Sequence, residues 1–169
     1  MTEAQIITKT VLYLIREENF VPKTISIRTI KEKEKFKQSL AKANIDQNTI
    51  DKITFSRDGA DIIGDKFGKD GEKLQKNVSV EAKGGDVKYF YHFYAILGQF
   101  MLGKKESDYY PFAMALPKEW REKVKIALKD KTNEIKPVVK LIMDNYKGLS
   151  FMFVSDETVE KITWKDFLK

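Results

Sequence analysis

Residues 4–18, AQIITKTVLYLIREE, set Ile7, Val11, Leu14 and Ile15 at helical spacing, which predicts an amphipathic helix ended by Asn19 and Pro22. KTISIR (23–28) alternates apolar and polar positions and reads as extended. IKEKEKFKQSLAKA (30–43) predicts a charged helix whose anchors are Ile30, Phe36 and Leu40. DKITFSRD (51–58) and ADIIG (60–64) read as strand segments around a break at Gly59. DKFGKDGEKLQKN (65–77) is polar, basic and punctuated by glycine, which predicts a turn.

VSVEAKGG (78–85) predicts a short strand stopped by two glycines. Alternation sends Val78, Val80 and Ala82 to one face and Ser79, Glu81 and Lys83 to the other. Asp86 is placed to cap a following helix, whose stripe Val87, Phe90, Tyr94, Leu97 and Met101 predicts a mostly buried element. DYYPFAMALP (108–117) predicts a strand, and PKEWREKVKIAL (117–128) a helix with Pro117 near its start. NEIKPVVKLIMDNY (133–146) predicts a helix with Pro137 in its first turn, and GLSFMFVSD (148–156) a last apolar strand before the closing WKDFLK. The order of elements is that of a mixed α/β domain, with the apolar late strands central in the sheet. One domain, 1–169, is expected: a helical part over 1–50, a core over 51–117, and further helices with the late strand over 118–169.

With 169 residues, 42% of them hydrophobic and 33% charged, the chain suits one compact soluble domain that needs no staples. It has no cysteine, which excludes disulfides and thiolate metal sites and fits a reducing compartment. The opening MTEAQIITKT lacks a basic region followed by an apolar run, so no signal peptide is expected. No apolar stretch approaches the roughly 20 residues that span a bilayer. The expectation is a cytoplasmic protein without a membrane partner. The formal net charge of +6 favours polyanions such as nucleic acid, although lysine-rich solubility gives the same excess.

Asp61, in GADIIGD, lies in the segment before the basic turn. If that segment pairs with 78–83, Asp61 and Glu81 stand side by side. Two carboxylates suit a hard cation such as Mg²⁺, which takes one or two of them and keeps several waters. Lys83, on the face of Glu81, then supplies a cation that can orient a water or hold a phosphate oxygen. Glu-x-Lys on a strand face is also a common solvated charge pair, so the tripeptide alone is weakly specific. The apolar opposite face, the preceding glycine-rich turn and the following helix raise its weight.

GADIIG, VSVEAKGG, the helical YHFYAILGQFMLGK and the strand YYPFAMALP together resemble the PD-(D/E)XK nuclease superfamily over roughly residues 51–117. The resemblance implies a restriction-endonuclease-like fold, a mixed central sheet flanked by helices. It implies Asp61 and Glu81 as ligands of Mg²⁺ or Mn²⁺, Lys83 as a catalytic cation, Gln99 facing the site, and double-stranded DNA as substrate. Ala60 stands where the family usually has proline, and Asp58 and Asp65 compete with Asp61 for the first motif. The alternative is a catalytically inactive relative, a DNA-binding or protein-assembly module of the same fold. Intact Asp, Glu and Lys argue against it. An unrelated α/β interaction protein is a further rival, and a homodimer is among the assemblies the sequence allows.

Lys66, Lys69, Lys73 and Lys76 of the basic turn could reach a phosphate backbone, though loop lysines are commonly just solvated. Lys88, His92, Ala95 and Gln99 form a second stripe on the helix after the site; Lys88 would lie near phosphate. His92, the sole histidine, is given no catalytic role. Glu17 and Glu18 end the first helix, where solvation explains them better than metal binding. The helix over 31–42 interleaves Lys31, Lys33, Lys35, Lys37 and Lys42 with Glu32 and Glu34, which reads as a solubility surface at least as well as a nucleic-acid stripe. Lys83, expected in a solvated cleft, should contribute little to stability.

Overall fold

The computed structural model describes residues 1–56, 60–86, 92, 93, 95, 97, 98, 110–129, 137, 141, 149–167 and 169. The expected first helix forms as α1 (Glu3–Glu18), burying Ile6, Ile7, Val11 and Leu14. A capping box starts it: the Thr2 hydroxyl accepts the Gln5 N–H, and the Gln5 side chain accepts the Thr2 N–H. Asn19 ends it in the left-handed region at φ 48°, as asparagine tolerates. Strand β1 (Phe20–Ile25) follows at once and takes in Pro22, with a shift of pairing register between Pro22 and Thr24. The proline fits because β1 meets its outer neighbour β2 (Thr54–Phe55) only at Thr24 and Ile25, which leaves its first half on an open edge.

α2 (Ile30–Lys42) is anchored by Phe36 and Leu40, while Ile30, expected as a third anchor, is the exposed first residue. A short helix α3 (Gln47–Asp51), capped by Asp46, takes in Asp51 at the start of the stretch expected to be strand, and among the described residues of that stretch Thr54 and Phe55 form strand. The stretch 65–77, expected as a turn, is mostly paired instead. β3 (Ile62–Phe67) and β4 (Lys73–Ala82) form a hairpin with its tip at 68–72. Tyr110–Pro117 is β5 and Ser150–Val154 is β6. Pro117 closes β5 and stands as expected at the start of the helical stretch, as the N-cap of a 3₁₀ turn, Lys118–Trp120, that leads into α4 (Arg121–Lys129). A further strand, β7 (Val159–Thr163), and the short α5 (Trp164–Phe167) complete the described elements.

The strands make one seven-stranded sheet in the order β2-β1-β3-β4-β5-β6-β7. β4, β5 and β6 run parallel, while β3 is antiparallel to β1 and β4, and β7 to β6. One face, carrying Val78, Val80, Ala82, Ala113, Ala115 and Met152, packs under α1 and α2. The other carries Met114, Leu116, Phe151 and Phe153 and packs against Trp120, α4, α5 and the helical residues Phe93 and Leu97. Burial on both faces explains why the late strands read as continuous apolar runs.

His92 is half-buried and Ala95 exposed on the same helical segment. The other residues assigned to its two stripes, Val87, Lys88, Phe90, Tyr94, Gln99 and Met101, lie outside the described residues, as do Asp58 and most of 133–146. Pro137 and Leu141 are helical. Among the described residues no helix is long and apolar enough to cross a membrane.

Candidate active site

β3 and β4 pair at Ile62–Val80 and Ile63–Ser79. Asp61 lies one step before this ladder and Glu81 one step after Val80, so both stand at the same level on the same face. Facing residues of an antiparallel pair are about 4.5–5.5 Å apart at Cα. Asp61 is 7% exposed; its Oδ2 accepts the backbone N–H of Ala82 at 2.7 Å. That bond ties the carboxylate to the end of β4.

Burial pushes the Glu81 carboxyl up to about 7, helped by the negative charge of Asp61 and by a hydrogen bond shared with it. Burial also raises Asp61, against the pull of Lys83 and the Ala82 N–H. Two like charges in a low-dielectric corner resist ionising together, so below neutral pH the pair holds a proton.

Lys83 continues β4's pairing through its N–H to the Ala115 carbonyl. Its ammonium donates to the Ala82 carbonyl at 3.0 Å and lies 3.6 Å from Asp61 Oδ2 and 3.7 Å from Glu3 Oε2. It therefore pairs across the hairpin and with α1, not with Glu81 on its own strand. Its side chain is 17% exposed, so the expectation of a solvated cleft does not hold.

Glu3 is the residue that pattern reading missed. The double glycine brings it in. A Cβ on Gly84 would lie 2.2 Å from the Glu3 nitrogen and 2.5 Å from the Thr2 carbonyl carbon, so only glycine lets the start of α1 rest on the strand end. Gly85 adopts φ 116° and donates its N–H to the Met1 carbonyl. Glu18, at the other end of α1, serves packing: Lys66 and Lys161 each reach it at 2.6 Å, and their hydrogen bonds hold its carboxyl below its ordinary value despite burial.

Asp65 differs from Asp61 in every respect that matters to a metal. It is 2% exposed and already clasped by Lys23 and Lys73 at 2.6 Å each and by the Asn77 N–H at 3.1 Å. Burial raises its carboxyl, but these partners win and hold it at about 2. Its contribution is thus present above the ordinary carboxylate range and lost as pH falls toward 2. Asp65→Asn should cost about 1–2 kcal/mol in urea unfolding at neutral pH, limited by the partly exposed lysines, and leave Mn²⁺ affinity unchanged. Loss of Mn²⁺ binding in that variant would move the first motif to Asp65.

Of the basic-turn lysines, Lys66 and Lys73 are committed to Glu18 and Asp65. Lys69, at the tip, and Lys76, on β4, have no ion-pair partner among the described residues. The tip lies at the opposite end of the hairpin from Asp61, roughly 20 Å along the strands. Lys88 and Gln99 lie outside the described residues.

Among the described residues no three His, Asp or Glu side chains gather as a metal cluster. The oxygen donors that fit a hard cation are the Asp61–Glu81 pair, whose carboxyls burial raises and Lys83 only partly draws back down. Comparison with known proteins gives no match: no family model, no curated protein and no solved structure matches the chain. The chain is an α/β protein with a seven-stranded mixed sheet flanked by helices.

Proposed function

We propose that the chain is a metal-dependent nuclease of the restriction-endonuclease-like fold, acting on DNA. The observation that carries this reading is the meeting of Asp61, Glu81 and Lys83 at one end of the central strand pair. The arrangement around it agrees with the resemblance: adjacent motif strands, helical residues after them, then a strand parallel to β4.

Asp61 and Glu81 would hold Mg²⁺ or Mn²⁺, with water completing the shell. Once bound, the cation supplies positive charge at the phosphate and eases ionisation of a water. Below neutral pH Glu81 would give up its proton as the site fills, so there the pair becomes fully anionic when a counter-charge is present. Lys83, held between Asp61 and Glu3, donates hydrogen bonds toward a non-bridging phosphate oxygen or the attacking water. The water oxygen bonds to phosphorus and sheds a proton to solvent, while the P–O ester bond breaks and the leaving oxygen takes a proton from solvent. Lys83 stabilises the charge that builds on the phosphate oxygens.

The test is incubation of plasmid DNA, and separately RNA, with the purified chain in Mg²⁺, Mn²⁺ or EDTA. DNA cleavage with either metal is expected, with none in EDTA and none by Asp61→Asn. Absence of cleavage under every metal would favour an inactive module of the same fold.

A further inference from the structure

An open groove of about 510 Å³ runs between α1 and α2, walled by Thr2, Gln5, Thr8 and Lys9 on one side and Lys35, Gln38, Ser39 and Lys42 on the other. We infer that this groove carries the sugar–phosphate backbone of a nucleic-acid strand leading to the Asp61–Glu81 site, an inference that rests on the nuclease reading for its substrate.

Three observations carry it. The first is charge. Ile30–Lys42 holds five lysines against two glutamates. Lys33 and Lys37 lie over the Phe55 ring, 5.3 and 5.9 Å from its centroid. Lys35 and Lys42 are exposed, line the groove, and take part in no ion pair among the described residues. The groove's one acid, Glu32, is engaged by the Thr29 hydroxyl at the start of α2. The second is chemistry: amides and hydroxyls interleave with the lysines, and such groups commonly contact phosphate and sugar.

The third is continuity. Thr2 and Gln5 line the groove, and Glu3 between them reaches Lys83. The Thr2 end of the groove therefore reaches the end of the sheet where Lys83 sits, and a nucleic-acid strand leaving it passes round that end from the face under α1 and α2 to the face that carries Asp61 and Glu81. From Thr2 to Leu12 its α1 wall runs roughly 15 Å, enough for more than one phosphate. Of the hairpin lysines, by contrast, Lys66 and Lys73 are spent on ion pairs, Lys69 sits at the far tip, and Lys76 stands part-way along β4 with no ion pair among the described residues.

The experiment measures binding of labelled single-stranded and duplex oligonucleotides in EDTA by fluorescence anisotropy, over a range of salt. The paired substitution Lys35→Gln with Lys42→Gln should lower affinity by roughly tenfold or more at low salt and make the log–log salt slope shallower by about 2. Both residues are exposed, so folding should be unaffected, as unfolding curves will verify. Lys69→Gln with Lys76→Gln should bind as the parent does. The inference is overturned if the groove variant binds normally, if the hairpin variant carries the loss, or if polyglutamate binds as tightly as nucleic acid. Normal binding by the groove variant, with cleavage still dependent on Asp61, would sink the groove and spare the nuclease. Groove-dependent binding without cleavage under any metal would do the reverse. No binding of nucleic acid by the parent chain sinks both.

Discussion

Lys83→Met should cleave DNA on the order of 10² to 10³ times more slowly than the parent chain at saturating Mg²⁺ or Mn²⁺. The ammonium is the cation positioned among Asp61, Glu3 and the end of β4, and methionine keeps the stem while removing the charge. Because the side chain is 17% exposed, the substitution should also cost stability, about 1–3 kcal/mol without metal, more than an ordinary surface change. Stability alone therefore cannot separate a structural role from a chemical one. Metal can. A bound divalent cation replaces the missing charge beside Asp61 and should recover much of the stability. A merely structural Lys83 would recover its rate at the same time; a chemical one would not. Single-turnover cleavage and urea unfolding, each with and without Mn²⁺, make the comparison. Cleavage at the parent rate by Lys83→Met would end the proposed mechanism.

Mn²⁺ affinity should climb about tenfold per pH unit between roughly pH 5 and 7, because the ion displaces the proton held by the carboxylate pair. Glu81 is raised from 4.5 to about 7 by burial and by Asp61. The folded chain thus keeps a proton that the unfolded chain has released. Metal-free stability should accordingly fall as pH rises through that window, by roughly 1–3 kcal/mol in total, and level off above it. Glu81→Gln should abolish the metal site, flatten the slope, and leave the metal-free variant more stable than the parent at alkaline pH. Calorimetric titration with Mn²⁺ and urea unfolding at several pH values test both halves. A metal-free stability independent of pH across the window would mean that the two carboxylates do not share a buried corner.

What the sequence made readable follows from where side chains meet solvent. α1, the apolar half of β4, β5 and β6 were legible because each buries a periodic or continuous apolar face. The start of β4 was not: KLQKN is mostly exposed, so alternation leaves no mark there. β7, an edge strand half-buried over most of its length, is faint for the same reason. The meeting of Asp61 with Glu81 could be anticipated from two neighbouring strands. Lys83's other partner could not, since Glu3 lies some eighty residues away and carries no pattern. Its one signal was Gly84, whose missing side chain is the room that α1 occupies.

The hairpin between β3 and β4 changes register twice, at Gly64–Lys66 and at Lys66–Phe67, with Asn77 in the left-handed region at φ 48° beside the break. A slip of one residue normally turns every side chain of a strand to the opposite face. Here the irregularities lie between the tip and the acidic end, and the Asp65 clasp pins the chain at that point. The ladder from Ile62 to Gly64 against Val78 to Val80 is consequently indifferent to what happens beyond it. Lengthening a surface loop is cheap, about 0.6 kcal/mol for each doubling. The tip at 68–72 is thus the natural port for grafting: an epitope, a fluorophore anchor or a targeting peptide can be spliced there without re-phasing the strands that carry Asp61 and Glu81.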